Sequence, residues 1–293
     1  MRRNNNMKIG AMVESFRLGF RGGVEKAAAL GCSGVQVYAT TSGILAIDQI
    51  TDAKAKEALD IVKSNGLVFS ALCGDFGCGF DDPERNPEMI EKSKRVLELA
   101  KKLGCDIVTT HIHKVPVEEC AYKEVMRKAC RELALFADSM DASFALETGP
   151  EPGEVLCDFL DSLGAGGVRV NFDPANLVMV AGDRPENALK YLGKYVVHTH
   201  AKDGIKLVKP AEGEVIVGAE AQEHAELARM GREYLELPLG KGDVNFDIYL
   251  PALAATGFDG FLTIERECGD NPEEDIALAV EFLREKLKKF NLA

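Results

Sequence analysis

The sequence predicts a single closed barrel of eight parallel strands alternating with helices, the (β/α)8 or TIM-barrel class. Three observations carry this reading: eight short β-branched or apolar runs, helical periodicity between most of them, and repeat units mostly about 25 to 40 residues long. Eight such units in 293 residues fit one barrel more economically than two domains. A doubly wound open sheet is the competing arrangement.

In chain order the strands are KIGAMVE (8–14), GVQVYA (34–39), LVFSAL (67–72), DIVTTHI (106–112), SFALE (143–147), VRVNFD (168–173), YVVHTH (195–200) and FLTIE (261–265). Their length and β-branched content suit buried strands. Apolar stripes mark the helices between and after them. Val96, Leu99, Ala100 and Leu103 share one face; Val125, Met126, Ala129, Cys130, Leu133 and Phe136 share another; Ile276, Ala279, Val280, Leu283 and Leu287 line the last. Gly31, Gly66 and Gly104 each follow a helix, where a left-handed cap is expected. Residues 1–293 are therefore expected to form one domain, with 1–6 a flexible tail and Met7 the effective start. Only the stretch between strands seven and eight is too long for a turn, and 204–237 is expected to be an inserted loop or lid over the barrel mouth.

Composition removes several classes of function. The chain carries 47 acidic and 35 basic residues, a formal charge of −12. That balance repels a polyanionic backbone and offers no basic stripe, so nucleic acid is not an expected partner. No run approaches the roughly 18 apolar residues of a membrane span, and MRRNNN lacks the apolar core of a signal peptide. Eight cysteines without a CxxC pair are read as reduced thiols of a cytoplasmic protein.

The stretch YVVHTHAKD (195–203) raises the chemical question, because it holds two of the five histidines two positions apart on a strand. His198 and His200 then face the same side, and His200 stands at the carboxyl end, where barrel enzymes place their chemistry. Glu147, Asp173 and Glu265 close three further apolar runs in the same way. The separations are 26 residues from Glu147 to Asp173, 27 to His200 and 65 to Glu265, the last being one repeat plus the insertion. Four strands thus aim three carboxylates and an imidazole at one point. Such an oxygen-rich set suits Mn²⁺, Mg²⁺ or Co²⁺, with Zn²⁺ also compatible. Without a cation the carboxylates would repel one another.

Each residue also has an ordinary reading. Asp173, followed by Pro174, suits a helix cap. Glu265 suits an ion pair with Arg266 or Arg17, and His198, one layer deeper, a supporting role in the core. His111 and His113 after strand four are candidate substrate contacts or hydrogen-bonded rim histidines. Lys202 is a candidate for a substrate oxygen or phosphate, or a partner of Asp203 or Glu267. Glu14 and Asp75 are candidates for the pocket wall.

The motifs ALETG, VNFDPANL, HTHAKD, LPLGKGDVNF and GFDGFLTIERE, in this order across residues 7 to 290, resemble those of the sugar phosphate isomerase/epimerase superfamily of xylose isomerase-like TIM barrels. That group includes ketose 3-epimerases, hydroxypyruvate isomerases, inosose dehydratases and the endonuclease IV nucleases. The resemblance implies that Glu147, Asp173, His200 and Glu265 hold a divalent metal ion and that Glu147 and Glu265 act as the acid/base pair. It also implies that the loop Pro238, Leu239, Gly240, Lys241, Gly242 closes near the site, its backbone free to approach a hydroxyl or phosphate. Gln36 stands where many relatives carry a glutamate. Lys202 and Asp203 stand where ketose 3-epimerases continue toward an arginine.

The expected activity is that of a metal-dependent sugar isomerase or epimerase working through proton abstraction beside a carbonyl and a metal-stabilised enediolate. His111, His113, His198 and Lys202 are the candidate substrate contacts. Alternatives on the same site are an inosose-type or dehydroshikimate-type dehydratase and a non-catalytic carbohydrate-binding barrel. The expected partner is a small sugar, sugar phosphate or polyol, with no nucleic acid and no membrane; assembly into a homo-oligomer is compatible with the sequence.

Overall fold

Every one of the eight apolar runs becomes a barrel strand in the computed structural model, which describes residues 6–211, 214 and 216–293. The first seven are β1 (Lys8–Met12), β2 (Gly34–Tyr38), β3 (Val68–Cys73), β4 (Ile107–Thr110), β5 (Ser143–Glu147), β6 (Val168–Phe172) and β7 (Val196–Ala201). After them come β8 (Asp203–Lys206) and β9 (Tyr234–Leu237), then β10 (Phe261–Ile264), the eighth barrel strand. Pairing is parallel throughout the barrel, in the order β1, β10, β7, β6, β5, β4, β3, β2, and closes on β1. The closed ring excludes the open doubly wound sheet.

Helices α1 (Gly19–Ala29), α2 (Asp52–Ser64), α3 (Asn86–Lys102), α4 (Ala121–Asp138) and α5 (Gly153–Ser162) follow β1 to β5 in turn. After β6 the chain makes the single turn α6 (Pro174–Asn176), a π-helical segment over Leu177–Ala181, and α7 (Pro185–Leu192). Helix α8 (Ala219–Arg229) lies between β8 and β9, α9 (Phe246–Ala255) precedes β10, and α10 (Pro272–Phe290) ends the fold. The apolar stripes face inward as expected: Ile276, Ala279, Val280, Leu283 and Leu287 of α10 are all buried. Each large side chain so buried contributes about 1.5–3 kcal/mol. On α4 the stripe is narrower than the sequence suggests, since Val125 and Phe136 are only half-buried.

Gly31, Gly66 and Gly104 have φ of 77°, 74° and 75°, the left-handed geometry that ends a helix without a Cβ penalty. The expected tail falls almost wholly on residues 1–5, outside the described residues. Met7 is tied to the end of the fold, its N–H donating to the carbonyl of Leu292 at 2.8 Å.

The long connection is a structured excursion. β8 and β9 pair antiparallel, Asp203 opposite Leu237 and Lys206 opposite Tyr234, and Gly204 packs against Met179 of the π-helical segment. Residues 212, 213 and 215 of the expected insertion lie outside the described residues.

Candidate metal centre

The shear of the barrel stacks the strand ends like a stair. Glu147 is level with Asn171, so Asp173 rises two residues above it; His200 is level with Thr263, so Glu265 rises above it in turn. Between β6 and β7 the register shifts, with Val170 opposite Val196 but Asn171 opposite His198. This bulge turns both histidines of β7 to the inside. Glu147, Asp173, His200 and Glu265 all come together, each offering a ligand atom within 4.8 Å of the others. From His200 Nδ1 the distances are 3.3 Å to Glu265 Oε2, 3.5 Å to Glu147 Oε2 and 3.6 Å to Asp173 Oδ2.

Asp173 caps a helix with one oxygen and turns the other toward the cluster. Its Oδ1 accepts from the backbone N–H groups of Ala175 at 2.7 Å and Asn176 at 3.0 Å, capping α6. Its Oδ2 is buried without any hydrogen-bond partner, and so is His200 Nδ1. Two buried polar atoms facing each other unpaired are costly unless something else satisfies them. A divalent cation among these four side chains would do so, and the donor set fits one.

A belt of hydrogen bonds below the cluster fixes the ligands. His200 Nε2 lies 3.1 Å from Gln36 Oε1, while the Gln36 amide donates to Thr109 Oγ1 at 3.0 Å. That arrangement puts the proton on Nε2 and leaves the Nδ1 lone pair for a cation. His198 Nδ1 donates to Asn171 Oδ1 at 2.9 Å, and its Nε2 accepts from Thr263 Oγ1 at 3.0 Å. Asn171 then donates to Glu147 Oε2 at 3.0 Å, and Asn176 donates to Glu147 Oε1 at 2.9 Å. Asn176 reaches it because Gly149 has no Cβ; one there would stand 2.6 Å from that of Asn176. His198, expected among the substrate contacts, is fully buried with both ring nitrogens engaged, and burial, helped by His200, holds it down to about 3. It is a neutral support for Asn171, beyond the reach of a substrate.

Charge is concentrated in the same place. Burial opposes ionisation of Glu265, but His200 and Lys202 outweigh it and hold the carboxyl at about 2. For Glu147, burial is likewise overcome by His111 and His200, which keep it well below the ordinary carboxylate range. Burial disfavours a proton on His200, yet Glu265 and Glu147 pull its pKa well above normal, so a cation would have to displace a proton from Nδ1. Lys202 is buried, with Nζ 2.9 Å from Glu265 Oε2 and 4.0 Å from Asp173 Oδ2, and it also binds Glu267 Oε2. Of its two expected partners, Glu267 is real and Asp203 is not.

At the rim, His111 bridges Asp75 and Glu147, with Nδ1 2.8 Å from Asp75 Oδ2 and Nε2 3.2 Å from Glu147 Oε1. Glu147, against the opposing effect of burial, and then Asp75 push it up to about 11. His113 points elsewhere: its Nδ1 pairs with Asp81 at 2.7 Å and its Nε2 accepts from the Gly79 N–H at 3.1 Å, so both nitrogens are taken by the loop after β3. The structure thus joins His111 to the cluster and does not join His113. Glu14 accepts from the Tyr38 N–H at 3.1 Å, and burial raises its pKa to about 7.

Asp203 and Glu236, which sequence reasoning gave no such role, clasp the base of the excursion. Asp203 accepts four backbone N–H groups, from Gly204, Gly240, Gly242 and Val244, at 2.9 to 3.1 Å. The Gly240–Gly242 loop, expected to have a backbone free to approach a ligand, is therefore turned onto Asp203. Glu236 accepts from Arg266 and from the N–H groups of Glu267 and Cys268. Arg266 also binds Asp275, and Arg17 donates to the carbonyls of Glu267 and Gly269, so neither arginine pairs with Glu265.

Comparison with known proteins places this geometry in context. The family described as xylose isomerase-like TIM barrel matches residues 24–286. No curated protein matches the chain in sequence. Among solved structures, a xylose isomerase domain protein from Planctomyces limnophilus is similar at a TM-score of 0.77 and 24% identity, covering 98% of this chain and 99% of that one. A xylose isomerase-like TIM barrel protein from Mycobacterium smegmatis, in complex with magnesium, aligns at 0.74 and 16% over the whole of both chains. The apo form of 3-keto-D-glucoside 4-epimerase from E. coli aligns at 0.70 and 15%, covering 96% of this chain and 100% of that one. At these identities the likeness is one of fold. No helix among the described residues is long and apolar enough to cross a membrane.

Proposed function

Because the chain belongs to the xylose isomerase-like TIM barrel family, we propose that it is a divalent-metal-dependent sugar isomerase or epimerase that moves a proton beside a carbonyl. The observation that carries this reading is the pair of unpartnered buried atoms, Asp173 Oδ2 and His200 Nδ1, facing two buried glutamates. Glu147, Asp173, His200 and Glu265 would hold the cation, which supplies polarisation of the substrate carbonyl and so acidifies the neighbouring C–H. The magnesium in the Mycobacterium smegmatis protein and the epimerase activity named for the E. coli protein support a cation and this reaction class here.

The remaining work falls to the side chains. Glu147 and Glu265 act as the proton-transfer pair: one carboxylate takes the proton beside the carbonyl, and the other, having gained a proton from solvent, delivers it to a substrate carbon. Return to the opposite face of the same carbon gives an epimer, and return to the adjoining carbon gives the aldose–ketose isomer. His111, hydrogen-bonded to Glu147, and Lys202, bound to Glu265, are positioned to orient substrate hydroxyls beside their respective glutamates.

Solvent deuterium exchange tests the proposal. With Mn²⁺ present, deuterium should enter one carbon of a ketose or inosose, and Glu147→Gln or Glu265→Gln should abolish it. A product lighter by one water would assign the same site to dehydration. A metal-loaded protein that exchanges no C–H across a broad panel of ketoses and inososes would contradict the reading.

A further inference from the structure

We infer that the substrate of this site is an uncharged polyhydroxy carbonyl compound, and that phosphorylated or carboxylated sugars are excluded. The inference rests on the sugar isomerase or epimerase reading and names its substrate class. Its basis is that Lys202, the two arginines flanking Glu267 and the N–H groups of Gly240 and Gly242 are already committed to the protein.

Anion recognition in a barrel uses free guanidinium or ammonium groups and unspent backbone N–H groups. Lys202 is the ammonium beside the cluster, and it lies between Glu265 and Glu267. The two arginines flanking Glu267 are also engaged, Arg266 by Glu236 and Asp275 and Arg17 by two carbonyls. The glycine loop that approaches the barrel end has the makings of an anion cradle, but the anion it holds is the chain's own Asp203. That carboxylate accepts from Gly240 and Gly242 at 2.9 Å each. Even Cβ-sized space is missing there, since a Cβ on Gly242 would stand 2.2 Å from Asp203 Oδ1.

Charge points the same way. Glu147, Asp173, Glu265, Glu267 and Asp75 gather five carboxylates in and beside the candidate metal site, against Lys202 and His111. Counting His111 as charged and adding a divalent cation still leaves the pocket with a net negative charge. A phosphate dianion entering such a pocket meets repulsion that is strengthened by burial, whereas hydroxyl groups find acceptors in the same carboxylates.

Binding of matched pairs to the full-length, Mn²⁺-loaded protein tests this, read by calorimetry so that turnover is not required. The pairs are a ketohexose with its 6-phosphate and a ketopentose with its 5-phosphate. The neutral member of each pair should bind at least about tenfold more tightly, and Glu267→Gln should narrow that gap by about tenfold by removing one nearby charge. Equal or tighter binding of the phosphorylated members overturns the inference while leaving the isomerase reading intact. A neutral ketose that binds but exchanges no C–H keeps the inference and removes the catalytic reading.

Discussion

His200 donates its Nε2 proton to Oε1 of Gln36 across 3.1 Å of the barrel interior, from a strand that lies 164 positions along the chain. The contact selects the tautomer whose Nδ1 faces the three carboxylates. Gln36→Leu removes the acceptor and leaves Nε2–H buried and unsatisfied. Mn²⁺ affinity measured by calorimetry should fall about 10- to 100-fold, with the far-ultraviolet dichroism of the barrel retained.

The two oxygens of Asp173 separate structure from ligation. Asp173→Asn keeps a carbonyl oxygen to cap α6 but replaces the unpaired Oδ2 with an amide. Metal binding should be lost at nearly unchanged stability. Asp173→Ala loses the cap as well, and chemical denaturation of the metal-free proteins should place it about 1 kcal/mol below the asparagine variant.

Glu236 ties the excursion to the segment that carries Glu265. Its carboxylate is buried against Arg266 and two backbone N–H groups. Glu236→Ala leaves a buried guanidinium with only Asp275, and urea denaturation should show a loss of about 3 kcal/mol.

Glu151 gives a pH signature. It is buried, accepts from the Val115 N–H at 3.1 Å, and burial raises its pKa from 4.5 to about 7. Between those values the folded protein binds more protons than the unfolded chain, so this residue lowers stability as pH rises from about 4.5 through 7. Glu151→Gln keeps an acceptor for Val115 without the charge. Its melting temperature should match the parent near pH 4 and exceed it at pH 8, corresponding to about 3 kcal/mol. A constant difference across pH would rule out Glu151 as the titrating group.

The barrel and its four candidate ligands were legible because both follow from local pattern. A run such as VRVNFD announces a buried strand, and its last residue falls where the barrel opens. The supporting layer was legible in principle from the same period of two: Asn171, His198 and Thr263 each sit two positions before a ligand, hence one layer below it. What the chain order concealed were bonds between distant segments. That Asp203 answers Gly240 rather than Lys202, or that His113 turns to Asp81 while His111 turns to Glu147, depends on loop paths that no periodicity encodes. His113 has φ of 65°, a left-handed conformation for a non-glycine residue, which redirects its side chain away from the strand axis.

Asp203 and Leu237 are paired neighbours, so the 203–237 excursion leaves the barrel and returns to it at adjoining points. Closing a flexible loop of twice the length between such points adds only about 0.6 kcal/mol. A foreign peptide or a reporter spliced beyond Lys206, with Asp203 and Glu236 retained, should therefore leave the eight-stranded scaffold folded, as its far-ultraviolet dichroism would show.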